Sequence, residues 1–265
     1  MAEALNNAPI RERPDAGACR DCGASVIPVW IGIGKRPGWH AAERCLTCQT
    51  AQEARREKQR RQRQRNQLLA ARIERSRMTG EQLQRTFASF RPRQGAEEAL
   101  YRCQDLVRQW GAPDLRGLIL AGTNGCGKTH LAQAIVNEFL HARAPATAMF
   151  ITMSDYLEGL RQMFRRVAPD DTRWAVRSVA LLVLDDIGAP AIREGEEGDW
   201  IREEVSTMLD VRNDHHRPIV VTLDETQDVI ERRLGKRVIS RLFGMSDPIP
   251  ITADDYRMRT TLGEE

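Results

Sequence analysis

Hydrophobic positions in the second half of the chain alternate between short apolar runs and longer stretches with an apolar residue at every third or fourth position. The apolar runs predict buried strands at residues 118–121, 148–152, 179–184 and 218–222. The stretches between and after them predict helices at residues 129–141, 154–164, 200–213, 226–234 and 236–243, with Ser154 as the cap of the second. This alternation indicates an α/β fold in which helices cover a parallel sheet.

The first part of the chain lacks that alternation. Residues 25–33 predict a short hairpin or ribbon that Pro28 interrupts, and residues 50–77, without Gly or Pro, predict a polar helix. Residues 97–110 have the spacing of an amphipathic helix. We therefore divide the chain into a flexible tail (1–17), a cysteine-bearing unit (18–50), a basic helical linker (51–82) and an α/β domain (83–265).

The composition is that of a globular protein, with 265 residues, 41% hydrophobic and 29% charged. The net charge of +3 conceals an uneven distribution, because residues 55–77 carry ten Lys and Arg against two Asp and Glu. Residues 78–265 carry 24 against 29, which excludes a uniformly basic DNA-binding protein. The start has no signal-peptide pattern and no apolar run could span a bilayer, so we expect a cytoplasmic protein with no membrane partner.

A phosphate-binding loop is predicted where the first strand of the domain meets the following helix. The residues match G-x-x-x-x-G-K-[ST] in full: Gly122, Thr123, Asn124, Gly125, Cys126, Gly127, Lys128 and Thr129. Backbone N–H groups of such a loop converge on phosphates, Lys128 reaches the β- and γ-phosphates, and the Thr129 hydroxyl binds Mg²⁺. The alternative is an ordinary glycine-rich turn; Cys126 is most simply a small residue, with a redox role as its alternative.

Two acids close the predicted strand that begins near residue 179. Asp185 and Asp186 follow a buried apolar run and therefore lie at the carboxyl edge of the sheet, where ligands of such folds bind. We expect Asp185 to hold the Mg²⁺ shell and Asp186 to polarise the attacking water. The alternative is a pair of polar residues that only closes a strand.

Basic residues form two further patterns. Residues 55–65 contain no apolar or aromatic residue, so they form a solvated linker, or an electrostatic contact with nucleic-acid phosphates or an acidic protein face. Arg237 and Arg241 have the spacing that places them on one helical face. Spacing alone favours a solvated face there, and the alternative is an arginine that stabilises γ-phosphate charge across a subunit interface.

Four of the six cysteines form two C-x-x-C pairs, Cys19 with Cys22 and Cys45 with Cys48, separated by 22 residues. This pattern predicts a structural zinc ribbon with four thiolate ligands, and the main alternative is a redox pair of dithiols. A unit of this size has little core, so Zn²⁺ would supply much of its folding energy. Because residues 18–50 are not strongly basic, a protein partner is favoured over nucleic acid.

Taken in order, five segments resemble the DnaC/DnaI-type helicase loaders and their IstB-like relatives: Thr86–Pro92, Gly122–Leu131, Leu181–Gly188, Leu234–Leu242 and Asp254–Arg259. The resemblance covers about residues 83–260. It implies an AAA+ P-loop NTPase fold and Mg²⁺-dependent ATP hydrolysis. It also implies that the chain loads a hexameric DnaB-type replicative helicase onto single-stranded DNA, with ATP as the switch.

The resemblance also implies roles for particular residues. Arg241 falls at the arginine finger, with Arg237 as a second candidate, which implies self-association through ATPase interfaces. Arg257 falls at a sensor arginine. The sensor that is usually Asn corresponds here to Asp224 or Thr222, and Asp186 replaces the more common Glu.

Three functions therefore stand at this point. An N-terminal zinc unit resembles the DnaI-like branch, in which that unit docks on the helicase, and this favours a helicase loader. The alternatives are an IstB-like ATPase helper of DNA transposition, whose relatives usually lack a zinc unit, and a zinc-dependent nucleic-acid-binding regulator with a nucleotide switch.

The acidic stretch 191–199 is either a solvated loop or a contact for a basic partner.

Overall fold

The computed structural model of the chain describes residues 12–31, 38–40, 42–166, 171–188, 192, 194–224 and 227–256. The chain divides into two compact units, Met1–Gln67 and Leu68–Glu265. None of the helices in the described ranges has the length and apolar character needed to cross a bilayer.

The first unit contains two small antiparallel strand pairs. Strand β1 (Gly17–Ala18) pairs with β2 (Ser25–Val26), and β3 (Val29–Ile31) pairs with β4 (Gly38–His40). The predicted hairpin within residues 25–33 is therefore wrong in its pairing, because β2 and β3 have different partners. Pro28 lies between them and has no N–H with which to continue a ladder.

The long helix α1 (Leu46–Arg75) follows the strand pairs and continues into the second unit. Its polar middle is exposed throughout, as expected for a helix without an apolar face. Its last turns belong to the second unit, where the Arg72 guanidinium is buried. It donates hydrogen bonds to the backbone oxygens of Phe139, Leu140 and Ala146.

A parallel sheet forms the centre of the second unit. Its strands are β5 (Gly117–Gly122), β6 (Ala148–Thr152), β7 (Leu181–Asp185), β8 (Ile219–Leu223) and β9 (Ser246–Ile251). The strand order is β6-β7-β8-β5-β9, and every neighbouring pair is parallel. This sheet confirms the predicted α/β class.

Strand β9 was not predicted, because Pro248 and Pro250 argue against a strand in the interior of a sheet. Among the described strands, β9 lies at an edge of the five-stranded sheet and pairs with β5. Ile249 and Ile251 are buried while the two prolines are exposed. An edge strand tolerates residues without an N–H donor, so the prolines are compatible with this position.

Helices cover both faces of the sheet. They are α2 (Glu97–Arg108), α3 (Lys128–Ala142), α4 (Met153–Phe164), α5 (Thr172–Ser178), α6 (Glu196–Asp214), α7 (Gln227–Leu234) and α8 (Lys236–Met245), preceded by a 3-10 turn at Gln82–Gln84. Alternate strand residues face opposite layers. Leu118 and Leu120 pack with α2 and α3, whereas Ile119 packs in the layer of α4 to α8.

Two local predictions require correction. The cap of α4 is Thr152 and not Ser154, because the Thr152 hydroxyl accepts a hydrogen bond from the Asp155 N–H at 3.0 Å. The acidic stretch 191–199 is only partly a loop, since α6 begins at Glu196. Three of its four acids, Glu196, Glu197 and Asp199, lie in the first turn of α6, where the helix dipole favours negative charge. Residues 189–191 and 193 lie outside the described part.

Candidate nucleotide and metal sites

A cavity of about 710 Å³ opens at the carboxyl edge of the sheet. It is lined by the phosphate-binding loop after β5, by the acids that close β7, and by residues at the end of β8. Segments from residues 85–96 and 253–256 complete its wall. Of the predicted site residues, the described lining of the cavity includes Asn124–Thr129, Asp185, Asp186 and Asp224, so the structure brings these together from three segments.

The conformation of the loop explains its glycines. Gly125 and Gly127 have φ angles of +76° and +104°, which lie in the left-handed region that side chains disfavour. A Cβ atom on Gly127 would lie 2.8 Å from the Phe90 ring, and one on Gly125 would overlap the Asp255 carboxylate. The loop ends at the first turn of α3, whose free N–H groups and dipole suit an anion.

Lys128 is buried and is turned back onto its own loop. Its Nζ donates hydrogen bonds of 2.8 Å to the backbone oxygens of Gly122 and Thr123. The Cys126 Sγ lies 4.0 Å from the same amine, and the thiol is buried in the loop. These two carbonyl oxygens hold the ammonium group in place, and a bound phosphate would replace them as its hydrogen-bond partner.

Three oxygen-bearing side chains meet beside Lys128. The Thr129 hydroxyl lies 3.0 and 3.2 Å from the two carboxylate oxygens of Asp185, and the Thr222 hydroxyl donates to Asp185 Oδ1 at 2.6 Å. Burial raises the pKa of Asp185, although both hydroxyls and the Lys128 charge oppose that rise. A hydroxyl and a carboxylate at this edge are ligands that Mg²⁺ accepts, so the donor set fits the predicted metal.

Asp186, Thr222 and Asp224 all line the cavity. The Asp186 N–H donates to Thr222 Oγ1 at 2.8 Å, and Asp186 has a φ of +56°, an uncommon conformation for a residue other than glycine. Asp224 is exposed and also lines the cavity. Of the two residues that the sequence offered for the sensor position, Thr222 contacts the predicted Mg²⁺ ligand directly.

The segment Thr86–Phe90 and His130 form a wall that the sequence reasoning did not assign to the site. His130 Nε2 lies 3.1 Å from the Thr86 oxygen and 3.3 Å from Ser89 Oγ. The Phe90 and His130 rings meet edge to face, with centroids 5.2 Å apart. Burial lowers the pKa of His130. The available signal was the pair Phe87 and Phe90 in the segment that precedes the first strand of the domain, and the Phe90 ring lies against Gly127 of the loop.

The predicted finger residues lie on α8. Arg241 forms an ion pair with Asp210 of α6, and Arg237 reaches Asp210 at 3.6 Å and Glu203 at 3.3 Å. Among the described residues that line the cavity, neither of these arginines is present. Arg257, the predicted sensor arginine, lies outside the described residues.

The four N-terminal cysteines form a compact cluster. The sulfur atoms of Cys19, Cys22, Cys45 and Cys48 all lie within 4.8 Å of one another, and those of Cys22 and Cys45 are 3.6 Å apart. Tetrahedral Zn–S bonds of about 2.3 Å separate the sulfurs by about 3.8 Å, so the cluster is compatible with zinc. No other group of three or more metal-ligating side chains occurs among the residues that the structure describes.

Backbone and side-chain contacts hold the two cysteine pairs together. The Arg20 N–H donates to the Glu43 oxygen at 3.0 Å, and the Arg44 guanidinium donates to the Asp21 carboxylate at 2.7 Å. Each contact joins a residue beside the first pair to a residue beside the second. The ligand cluster therefore has a protein scaffold as well as the expected ligand spacing.

Comparison with known proteins places this site in a family. Residues 82–246 match the family described as the bacterial DnaA ATPase domain. The replicative helicase loader DnaC of Escherichia coli (strain K12) is 25% identical over 230 residues, which make up 85% of this chain and 91% of DnaC. This homology confirms the predicted relationship to the helicase loaders.

Solved structures share the fold. A crystal structure of the DnaC helicase loader has a TM-score of 0.57 at 21% identity and covers 66% of this chain and 100% of that one. A crystal structure of DnaI has a TM-score of 0.55 at 21% identity and covers 68% of this chain and 94% of its own. These likenesses confirm the predicted AAA+ P-loop fold.

Proposed function

The chain belongs to the family of the bacterial DnaA ATPase domain, and on that premise we propose that it is an ATP-dependent loader of a hexameric replicative helicase. One observation carries this proposal: the similarity to the loader DnaC extends over 85% of the chain and 91% of DnaC, well beyond the ATPase domain alone.

ATP binds in the cavity through the phosphate-binding loop. Lys128 contacts the β- and γ-phosphates after leaving the oxygens of Gly122 and Thr123, and the loop amides and the start of α3 complete the cradle. Thr129 and Asp185 hold Mg²⁺, which when bound offsets the negative charge of the phosphates. Asp186, held at its N–H by Thr222, orients the attacking water.

Hydrolysis requires a second copy of the chain in this proposal. Arg241 is outside the cavity of its own chain among the described residues, so it serves the γ-phosphate of a neighbouring subunit as the arginine finger. Arg257 acts as the sensor arginine. Self-association thereby couples turnover to assembly.

The four-cysteine unit docks on the helicase once Zn²⁺ has ordered it. Apolar side chains of β3 and of the residue after β2 are exposed, with 63% of Val29, 46% of Ile31 and 57% of Ile27 accessible. Exposed apolar side chains close together are typical of a protein-binding surface. The absence of a strong positive charge in residues 18–50 also favours a protein partner over DNA.

Single-stranded DNA contacts the exposed, basic part of α1. Residues 55–65 carry seven Lys and Arg against one Glu, and their side chains are exposed. The lack of aromatic residues there implies contacts to phosphates with little dependence on sequence. The affinity for DNA should therefore fall steeply as salt is raised.

The experiment that tests this function combines nucleotide binding with capture of the partner. The full chain should bind ATP and retain a DnaB-type helicase on a column, and Lys128→Ala should lose ATP binding. Lys236→Ala, which removes an exposed lysine from α8, should behave as the wild type. A chain that retains a transposase and ignores the helicase would overturn the proposal in favour of the transposition helper.

A further inference from the structure

The order of the strands gives the nucleotide cavity two chemically different ends. Strands β7 and β8 lie on one side of β5, and β9 lies on the other. Asp185 and Thr222 belong to the first side, which is therefore the end for the metal and the terminal phosphate. Residues 253–256 follow β9 and line the opposite end. A nucleotide whose phosphates lie on the loop between them places its nucleoside toward the β9 end.

Arg93 lies at this β9 end and has a donor without an acceptor. Its Nη1 atom is buried and has no hydrogen-bond partner among the described residues, although the residue lines the cavity. Buried side-chain donors are paired in the large majority of cases, because an unpaired one loses its hydration without compensation. A ligand in the cavity is a partner that would account for this donor.

Tyr256 fixes the position of the Arg93 guanidinium. The guanidinium carbon lies 4.4 Å from the centre of the Tyr256 ring, within the range of a cation–π contact. The Tyr256 backbone N–H donates to the Gly125 oxygen at 3.0 Å, which attaches the backbone of Tyr256 to the phosphate-binding loop. A second backbone bond, from the Thr252 N–H to the Gly95 oxygen at 3.2 Å, joins the two segments.

We propose that Arg93 donates a hydrogen bond from Nη1 to an acceptor atom of the nucleoside and that Tyr256 is its positioning residue. The inference rests on the proposed binding of ATP and assigns the nucleoside end of that site. A guanidinium suits this task because it is always charged, planar and able to stack on a ring while it donates in its own plane. A lysine ammonium lacks that planar geometry, so Arg93→Lys should not restore binding.

Calorimetric titration of the full chain with ATP and with tripolyphosphate tests the inference. Tripolyphosphate carries the phosphates without a nucleoside. Arg93→Ala should weaken ATP by about tenfold or more and leave tripolyphosphate unchanged. Arg108→Ala is the matched control, because Arg108 lies over the Tyr101 ring at 5.4 Å, and neither residue is among the described lining of the cavity. It should bind both ligands as the wild type does.

Each remaining outcome has a distinct meaning. An equal loss of ATP and tripolyphosphate would show that Arg93 binds phosphate, and no loss would show that it binds nothing; both overturn the inference while the proposed function stands. A wild-type chain that binds no ATP overturns both.

Variants of Tyr256 test the positioning role. Tyr256→Phe keeps the ring and should keep the wild-type affinity for ATP. Tyr256→Leu should weaken ATP as much as Arg93→Ala does, and the double variant should show no further loss, since both changes remove one interaction. A merely structural role for Tyr256 would instead weaken tripolyphosphate as well, because the Tyr256 backbone is hydrogen-bonded to the phosphate-binding loop at Gly125.

Discussion

The hydroxyl of Thr222 donates a 2.6 Å hydrogen bond to Oδ1 of Asp185, the acid that closes the neighbouring strand. The Thr222 hydroxyl oxygen in turn accepts a hydrogen bond from the Asp186 N–H at 2.8 Å. Thr222 and Asp185 are both buried. One hydroxyl on β8 therefore orients both acids at the end of β7, and this links the sensor position to the predicted metal ligand.

Replacement of Thr222 by Val keeps the shape of the side chain and removes that hydroxyl. Because Asp186 then loses a buried acceptor, the free energy of unfolding should fall by about 1–3 kcal/mol. ATP hydrolysis should slow by about tenfold or more, while ATP binding without Mg²⁺ persists. Urea denaturation and steady-state turnover measure the two effects. Thr207→Val, at a half-buried position of α6, is the control, and equal effects in both variants would contradict the role of Thr222.

The pH dependence of stability should report on His130. Burial lowers its pKa in the folded chain, so protonation favours the unfolded state. Neutral His130 therefore contributes its full stabilisation above the pKa of the unfolded chain, about 6.5. That contribution is lost as the pH falls from about 6.5 through the lower pKa of His130 in the folded chain. The wild type should therefore lose more unfolding free energy between pH 7.5 and 5 than His130→Gln. A His130→Gln chain that loses as much unfolding free energy over this pH range as the wild type would contradict the account.

Asp210 should restrain the proposed arginine finger. It pairs with both Arg241 and Arg237, and these side chains are partly exposed, so the pairs contribute less than about 1 kcal/mol to stability. Asp210→Asn should release Arg241 and lower the protein concentration at which ATP turnover is half-maximal. Arg241→Ala should keep ATP binding and lose the dependence of turnover on concentration. Glu203→Gln is the control, because among the described residues Glu203 pairs with Arg237 and not with Arg241. An Asp210→Asn chain with the wild-type concentration dependence would contradict the restraint.

Removal of Zn²⁺ should unfold the four-cysteine unit and leave the α/β domain folded. We expect one Zn²⁺ per chain, bound by the four cysteines, because their sulfurs fit a tetrahedral site. A chelator selective for Zn²⁺ should abolish capture of the helicase and increase hydrogen exchange at the Cys19 and Gly23 amides, which are bonded within the first cysteine turn. ATP hydrolysis, measured with Mg²⁺ in excess, should persist. Capture that survives in a chain shown to be metal-free would contradict a structural zinc.

Periodicity and motif spacing predicted the features whose geometry is local. Buried strands are continuous apolar runs, so four of the five strands, β5 to β8, were recognisable, and the phosphate-binding loop has a length that hardly varies between proteins. The prolines of β9 hid it, because an edge position is a property of the sheet and not of the segment. The predicted cap of α4 was two residues too late, since Thr and Ser both suit the role and Thr152 is the last residue of β6.

Contacts between remote segments could not be predicted in the same way. The bond from Thr222 to Asp185 depends on which strands are neighbours, and the sequence alone left Thr222 and Asp224 as alternatives. His130 joins the site because the Phe90 segment folds under the loop, some forty residues away along the chain. Arg93 and Tyr256 meet across a still longer separation, and no spacing rule connects them.

The most direct test of the central claim is helicase loading on closed circular single-stranded DNA, which offers no free end for threading. A DnaB-type hexamer that co-sediments with the circle only when this chain and ATP are present is the predicted result. Lys128→Ala should fail in the same assay, and Lys236→Ala should succeed. Loading that is equal with and without the wild-type chain, or equal for wild type and Lys128→Ala, would contradict an ATP-dependent helicase loader.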